Sequence, residues 1–259
     1  QDKPGVAVVL HDITELRRVE QIREDFVANV SHELRTPLTA IRGSVDALVE
    51  ENISPAQQRF LDIIARNTLR MERLVSDLLR LARLDAGQER LQLVPCSTQS
   101  LFKSLACELT TNLQERHQQL QWNIDQGADV VVADPVKLHD IFRNLIENAT
   151  HYSPDNSTIS LRAAMKRSVD EIVLSVSDRG NGIPEPDLSR IFERFYRVEQ
   201  LRSDNTRGTG LGLAIVKHLV GLHGGEVSAM NRPDGGAIFE VTFSDRNGNL
   251  KDGAIVGNS

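Results

Sequence analysis

The feature that most constrains the fold is a helical repeat of apolar residues in the first third of the chain. From Leu16 to Leu48, apolar residues recur every three or four positions, which places one apolar stripe along a helix. The pattern breaks at 51–53 and restarts after Ser54-Pro55-Ala56-Gln57, a typical helix start with a capping serine and a proline in the first turn. A second stripe then runs to a stop at Asp85-Ala86-Gly87. The spacing predicts two long helices in an antiparallel hairpin.

A hairpin of two helices has no enclosed core. Two copies of the hairpin enclose one when they join as a four-helix bundle, so we expect a homodimer. A monomeric hairpin packed on the rest of the chain is the alternative.

Length and composition narrow the classes of protein. A chain of 259 residues is long enough for about two domains, and its net charge of −6 argues against binding to nucleic acid. Cys96 and Cys107 have no metal-ligand spacing, so reduced thiols in the cytoplasm are expected. The chain contains no apolar run of about 18 residues, so no membrane contact is expected for this segment.

The second half of the chain alternates short strands with helices. We predict a linker over 89–97 and then an α/β two-layer sandwich rather than a βαβ repeat, which makes the whole chain a multi-domain α+β protein. The predicted strands are 120–124, 130–133, 158–164, 171–177, 226–230 and 237–243, and the predicted helices are 99–116, one beginning at Asp134, and 211–222.

His32 lies in the segment FVANVSHELRTPL, residues 26–38, on the first predicted helix. Val30 and Leu34 belong to the apolar stripe, so His32 points nearly opposite to it, toward solvent. The next residue, Glu33, is a carboxylate that can fix the ring tautomer and leave the other ring nitrogen as a nucleophile. Pro37 loosens the helix one turn later. A lone surface histidine is usually inert, but this one has an orienting acid and a built-in hinge.

Two segments of the second half have the chemistry of a nucleotide site. Asn144 and Asn148 are four residues apart on one helical face, and amide oxygens suit Mg²⁺, although exposed amides are common. Asp178 follows a predicted strand and precedes Gly180 and Gly182. Its carboxylate can accept a hydrogen bond from an exocyclic amine, and the glycines allow a ring to approach closely. An ordinary glycine turn is the alternative there.

The segment Gly208-Thr209-Gly210-Leu211-Gly212-Leu213 opens a predicted helix. Free backbone N–H groups and the positive end of the helix dipole would face a polyphosphate. It is not a dinucleotide fingerprint, because the third glycine comes one residue early and a loop precedes it. A glycine-rich hinge is the alternative. The charged stretch 198–207, without apolar period, is predicted to be a mobile lid.

These segments together carry a resemblance to a known family. Residues 26–38 resemble the H-box of sensor histidine kinases of two-component systems. The segments at 140–148, 178–183, 192–197 and 208–213 resemble, in this order, the N, G1, F and G2 boxes of that family's ATP-binding domain, which has the Bergerat fold. The resemblance covers about Leu16 to Ser244. It implies an ATP-dependent kinase that phosphorylates its own histidine and passes the phosphoryl group to an aspartate of a response regulator, with phosphatase activity toward that regulator as a further expectation.

The resemblance also assigns roles to individual residues. It makes His32 the phospho-acceptor, Glu33 its acid/base partner, and Thr36 a residue that places water during dephosphorylation of the regulator. It makes Asn144 the Mg²⁺ ligand and Asp178 the reader of adenine. The implied ATP-binding residues are Asn144, Asn148, His151, Tyr152, Asp178, Gly180, Gly182, Ile183, Arg197, Gly208, Thr209, Gly210, Leu211 and Gly212. His151 is a departure, since the family often has lysine or arginine there.

The resemblance implies a domain order and partners as well. Residues 1–14, with a strand at 6–10, are similar to the end of a PAS sensor domain. Residues 15–88 would form the dimerisation and phosphotransfer domain, 89–97 a linker, 98–245 the ATP-binding domain and 246–259 a mobile tail. The implied partners are a second copy of the chain and a response regulator receiver domain. The implied location is the cytoplasm, with a full-length protein that can be anchored in the bacterial inner membrane.

Two other functions compete with the kinase. Gyrase-like and Hsp90-like ATPases use a glutamate one turn before the Mg²⁺-binding asparagine to activate water. The position four before Asn148 is Asn144, whose amide cannot take a proton, and Glu147 is displaced around the helix. A non-catalytic dimeric scaffold is the third possibility, and the intact motifs argue against it.

Overall fold

The computed structural model describes residues 34, 36–45, 55–85, 89–166, 171–198 and 208–244. Several predictions concern residues outside these ranges: the strand at 6–10, His32 and Glu33, residues 199–207 of the predicted lid (198–207) and the tail at 246–259. The chain divides into two compact units, residues 1–75 and 76–259, which are described separately.

The first unit contains the first predicted helix and the larger part of the second. Residues 36–45 are helical (α1), and α2 extends over Pro55–Asp85, so it begins and ends where the capping signals predicted and its last residues belong to the second unit. The predicted apolar stripe of α1 is not buried within one chain, since Leu38 is 57% exposed and Val45 43% exposed. The physical reason is that a hairpin of two helices covers only part of each helix surface. None of the described helices combines the length and apolarity needed to cross a bilayer.

The second unit is a two-layer α/β sandwich, which confirms the predicted fold class. After the end of α2, its elements are β1 (Val94–Ser97), α3 (Thr98–Glu108), α4 (Thr110–Glu115), β2 (Gln119–Ile124), β3 (Val130–Ala133), α5 (Pro135–Tyr152), β4 (Thr158–Lys166), β5 (Glu171–Ser177), a 3₁₀ turn (Glu185–Asp187), α6 (Gly212–Leu222), β6 (Glu226–Asn231) and β7 (Ala237–Ser244).

The main sheet has the strand order β2-β4-β5-β7-β6. Only β2 and β4 pair in parallel, and the other neighbours are antiparallel. Side chains alternate along β5, where Ile172, Leu174 and Val176 are buried and the residues between them are half-buried. This alternation gives the sheet one apolar face, and α3, α5 and α6 pack against its strands.

Two segments differ from the prediction. The single helix predicted over 99–116 is two helices, because the chain turns at Leu109 and thereby buries both Leu109 and Leu113. Residues 94–97, predicted to be part of an irregular linker, form β1 and pair with β3. This strand was not predicted because it contains Pro95, and proline is found mainly on edge strands.

Helix α5 is held firmly at both ends. At its start, Asp134 Oδ1 accepts hydrogen bonds from the N–H groups of Val136 and Lys137, both at 3.1 Å, as the Asp-Pro signal predicted. At its end, the Gln118 side chain donates to the carbonyls of Thr150 and Ser153 at 3.1 and 3.3 Å. These contacts set the position of the helix that carries Asn144 and Asn148.

Candidate nucleotide-binding site

A pocket lies at the end of β5, between the last turns of α5 and the beginning of β7. The structure brings seven of the sequence-predicted residues together in its lining: Asn148, Tyr152, Asp178, Gly180, Gly182, Ile183 and Arg197. The lining also contains residues that the sequence analysis did not single out: Asn181, Ile191, Tyr196, Val198, Leu213, Ala237 and Phe239. Polar groups therefore converge from several chain segments on an otherwise apolar cleft, the usual construction of a ligand site.

Asp178 is the most deeply placed ionisable group of the pocket, with an exposed fraction of 5%. Its Oδ1 accepts hydrogen bonds from the N–H groups of Gly180 at 2.7 Å and Ala237 at 3.1 Å. Burial raises the pKa of the Asp178 carboxyl, while these two amides and the nearby Arg232 guanidinium act in the opposite direction. Because Oδ1 is occupied by backbone, Oδ2 is the atom with capacity for a donor on a ligand.

Helix α5 contributes its C-terminal turns to the pocket. Asn148 and Tyr152, one turn apart, both line it, whereas His151 packs edge-to-face on the Tyr152 ring with 4.7 Å between the ring centroids. Asn144, one turn earlier, lies outside the lining. Its Nδ2 donates to the carbonyl of Asp140 at 2.8 Å, and a Cβ added at Gly212 would lie 3.0 Å from its Oδ1. Asn144 is thus placed against the start of α6.

The glycine-rich segment 208–212 leads into α6, whose first residue is Gly212. None of these five residues lines the pocket, but the neighbouring Leu213 does. The Thr209 hydroxyl donates to Asp77 Oδ2 at 2.9 Å and accepts from the N–H of Leu211 at 3.3 Å. Gly210 has a φ of +71°, and its carbonyl accepts from the N–H of Phe195 at 2.8 Å. A Cβ at Gly210 would lie 2.8 Å from the Phe195 Cα, so this contact requires glycine.

Gly210→Ala is expected to weaken binding of ATP, the nucleotide that the resemblance implies, by about tenfold or more, because the methyl group meets both an unfavourable φ and the Phe195 backbone. Isothermal titration with ATP measures the effect. Gly221→Ala is the matched control, since it lies inside α6 with nothing within 4 Å of an added Cβ and should leave affinity unchanged. Wild-type affinity in Gly210→Ala would contradict the importance of this contact.

The residues that sequence reasoning missed come mainly from the segment after the 3₁₀ turn and from β7. The Tyr196 hydroxyl donates to Asp187 Oδ1 at 2.5 Å, and the Arg190 guanidinium lies 4.3 Å from the centre of its ring. Phe239 meets Phe192 edge-to-face at 6.4 Å between ring centroids. Tyr196 lies within residues 192–197, a motif that the sequence already showed. Phe239 lines the site only because β7 pairs with β5.

Comparison with protein families gives the class of this chain. Residues 22–87 match the His Kinase A (phospho-acceptor) domain, and residues 133–247 match the histidine kinase-, DNA gyrase B- and HSP90-like ATPase domain. The chain belongs to the histidine kinase family. The match to the ATPase domain implies that the chain binds ATP.

Curated relatives agree with this assignment. The chain is 38% identical over 249 residues to the sensor histidine kinase WalK of Bacillus subtilis, covering 92% of this chain and 39% of the relative. It is 36% identical over 239 residues to the phosphate regulon sensor protein PhoR of Pseudomonas aeruginosa, covering 92% of this chain and 53% of the relative. The chain therefore spans about two-fifths to one-half of the length of these relatives.

Solved structures share the fold. Histidine kinase ThkA in complex with the response regulator protein TrrA aligns with a TM-score of 0.71 at 23% identity, covering 92% of this chain and 69% of that one. Full-length ShkA in complex with AMPPNP aligns with a TM-score of 0.61 at 28% identity, covering 86% of this chain and 45% of that one. Acinetobacter baumannii AdeS aligns with a TM-score of 0.67 at 22% identity, covering 83% and 98%.

Proposed function

We propose that this chain is the catalytic part of a protein-histidine kinase, which transfers the γ-phosphoryl group of ATP to His32 and then to an aspartate of a response regulator. The observation that carries the proposal is the convergence of Asn148, Tyr152, Asp178 and Arg197 on one pocket. His32 itself falls within the region that matches the phospho-acceptor domain. Catalysis of phosphoryl transfer then consists mainly of positioning and charge neutralisation.

The direct test is labelling of the purified chain with radiolabelled ATP. A kinase of this kind acquires an acid-labile, base-stable phosphate on the protein. Release of inorganic phosphate without labelled protein would instead favour the ATPase alternative, and the absence of both reactions would favour a scaffold.

Each pocket residue that was predicted from the sequence has a role in this proposal. Asp178 accepts a hydrogen bond from the exocyclic amine of adenine, and Gly180, Gly182 and Ile183 form the wall against the ring. Asn148 and Tyr152 contact the nucleotide from α5, with His151 supporting the Tyr152 ring. Arg197 reaches the phosphates.

The segment Gly208, Thr209, Gly210, Leu211 and Gly212 presents the N-terminus of α6 to the phosphates. On the phospho-acceptor side, Glu33 orients His32. Thr36, which is helical and exposed on α1, places water for dephosphorylation of the regulator.

Asn144 is the proposed ligand for Mg²⁺, and its environment fits that role. Its Nδ2 donates to the Asp140 carbonyl, so Oδ1, a hard oxygen ligand, is the atom that can coordinate a cation. The described residues contain no cluster of three or more His, Cys, Asp or Glu side chains able to hold a metal. A single amide ligand suits Mg²⁺, which keeps several waters and takes its remaining ligands from substrate phosphates. Bound Mg²⁺ would neutralise charge on those phosphates.

Asn144→Ala is expected to reduce protein labelling by about tenfold or more at low Mg²⁺, because the amide oxygen is lost, with partial recovery at high Mg²⁺. Labelling rates measured over a Mg²⁺ titration check this. Asn67→Ala is a matched control, since the Asn67 Nδ2 donates to the carbonyl four residues before it at 2.8 Å, as that of Asn144 does. Undiminished labelling of Asn144→Ala at every Mg²⁺ concentration would remove Asn144 from the metal site.

The ATPase alternative depends on a carboxylate that activates water. Helix α5 has two acidic side chains, Asp140 and Glu147. Asp140 Oδ2 pairs with Arg80, and Glu147 Oε1 lies 3.4 Å from Arg143 Nε on the exposed side of the helix. Neither carboxylate is part of the pocket lining. This placement supports phosphoryl transfer to His32 over hydrolysis.

The proposed assembly is a homodimer, as a phospho-acceptor domain of this family implies. Leu38 and Val45 of α1 and Leu61 and Leu69 of α2 offer exposed apolar surface for the second hairpin of a four-helix bundle. The proposed second partner is a response regulator receiver domain, in line with the complex of ThkA with TrrA.

We propose the domain limits stated from the sequence: a sensor remnant at 1–14, phosphotransfer at 15–88, a linker at 89–97, ATP binding at 98–245 and a tail at 246–259. The proposed location is the cytoplasm, as part of a longer protein anchored in the inner membrane.

A further inference from the structure

The turn that joins β6 to β7, taken here with the strand residue on each side of it as residues 231–237, contacts the loop that carries Asp178, residues 178–183. None of the sequence motifs includes this turn, and its polar residues have no role in the proposed function. We infer that Asn231 and Arg232 are positioning residues for the nucleotide pocket, which hold the 178–183 loop in the conformation that binds the base. The inference rests on the proposed function, since it concerns the same pocket.

Asn231 pairs with the backbone of Ile183 through both ends of its side-chain amide. The N–H of Ile183 donates to Asn231 Oδ1 at 2.7 Å, and Asn231 Nδ2 donates to the Ile183 carbonyl at 2.6 Å. The side chain thereby makes the two backbone hydrogen bonds that a neighbouring strand would otherwise make with Ile183. Only an amide side chain supplies a donor and an acceptor in this arrangement, so neither Asp nor Ser can substitute for it.

Gly182 shows how closely Asn231 and the loop approach each other. This glycine has a φ of +76°, and a Cβ on it would lie 2.8 Å from Asn231 Oδ1. The loop therefore passes directly over the amide, with Gly182 and Ile183 on the pocket side. A change in the Asn231 side chain is consequently transmitted to residues that line the pocket.

Arg232 and Ala237 hold the other end of the same loop. Arg232 Nη1 donates to the backbone carbonyl of Asp178 at 3.1 Å. The Asp178 N–H donates to the Ala237 carbonyl at 3.0 Å, and the Ala237 N–H donates to Asp178 Oδ1 at 3.1 Å. The backbone and the side chain of Asp178 are thus both attached to this turn. The Arg232 charge also favours the ionised carboxylate that accepts a donor from the base.

The inference predicts that Asn231→Ala raises the Kd for ATP by about tenfold, because the unsupported loop must be ordered when the nucleotide binds. In labelling kinetics, KM for ATP should rise while kcat changes little, since Asn231 contacts no reacting atom. Hydrogen exchange of the nucleotide-free chain should show faster exchange at the Ile183 amide. Ser228→Ala, at an exposed position of the same strand, is the matched control and should behave as the unaltered chain.

Two further variants keep the test decisive if Asn231→Ala lowers the melting temperature. Asn231→Asp keeps the acceptor for the Ile183 N–H but loses the donor to the Ile183 carbonyl, so affinity should still fall. Arg232→Gln removes the charge of a half-buried side chain that is not among the buried residues of the core. It should also raise KM for ATP, whereas Arg162→Gln, an exposed arginine on β4, should not.

The outcomes separate this inference from the proposed function. Wild-type affinity and wild-type exchange in the Asn231 and Arg232 variants would overturn the positioning role and leave the kinase proposal standing. Failure of the unaltered chain to bind ATP would overturn the proposed function and the inference with it. A fall in kcat at constant KM would assign the residues to the chemical step and contradict positioning.

Discussion

His32→Gln is expected to abolish the acid-labile protein phosphate that forms with radiolabelled ATP. The reaction requires a ring nitrogen with a lone pair, and the glutamine amide is not a nucleophile. The phosphorus–nitrogen bond of phosphohistidine hydrolyses in acid and survives base, so the stability of the label identifies the residue type. ATP affinity should be unchanged in this variant, because the described residues that line the pocket lie between Asn148 and Phe239, in the second unit.

The matched control is His139→Gln. The His139 Nε2 lies 3.3 Å from Glu108 Oε2 on the surface of the second unit, and His139 does not line the pocket, so its loss should leave labelling intact. Label that persists in His32→Gln would place the phosphoryl group elsewhere. Simultaneous loss of ATP binding in that variant would show that the substitution disturbs more than the acceptor.

Asp178→Asn is expected to weaken ATP binding by about a hundredfold. The substitution keeps the volume and keeps an oxygen for the Gly180 and Ala237 amides, but it turns the remaining oxygen into an N–H₂ donor facing the donor amine of adenine. Titration with ATP measures the change. Asp234→Asn, an exposed carboxylate in the turn between β6 and β7, is the control and should bind as the unaltered chain.

The same carboxylate predicts the pH dependence of binding. Burial raises the pKa of the Asp178 carboxyl in the nucleotide-free chain. Because Oδ1 accepts two backbone N–H groups, the proton of the neutral form would be on Oδ2 and would weaken its bond to the amine. Affinity for ATP should therefore be full above this raised pKa and fall as the pH drops through it, beginning at a higher pH than for an ordinary aspartate. Asp178→Asn should lack this fall. A pH profile of Kd that is identical in the two chains would exclude Asp178 as the titrating acceptor.

Local signals were sufficient for most of the secondary structure. Helix α2 begins at Pro55 and ends at Asp85 as predicted, and β3 and β5 have the predicted limits, because caps, prolines and β-branched runs mark their ends. The break at Leu109 and the strand β1 were not predicted. Both depend on distant partners, since the break buries Leu109 and Leu113 and β1 exists by pairing with β3.

The residues of the candidate site likewise divide into those that the sequence predicted and those whose place depends on tertiary packing. The resemblance to the family's ATP-binding motifs predicted Asn148, Tyr152, Asp178, Gly180, Gly182, Ile183 and Arg197, and the structure brings all of them to one pocket. His151 and Asn144 belong to the same helix but lie beside the pocket lining, a distinction that depends on how α5 is rotated against its neighbours.

The sequence by itself determined the class of protein, the helical hairpin and the residue types of the nucleotide site, because capping signals, apolar periods and short motifs are local properties of a chain. Only the tertiary structure decided which face of α5 lines the pocket and which residues support Asp178. The turn between β6 and β7 reaches the 178–183 loop because β7 pairs with β5. The turn and the loop are about fifty residues apart in the chain. Hydrogen bonds over that separation leave no local pattern, so Asn231 and Arg232 became visible only in the folded molecule.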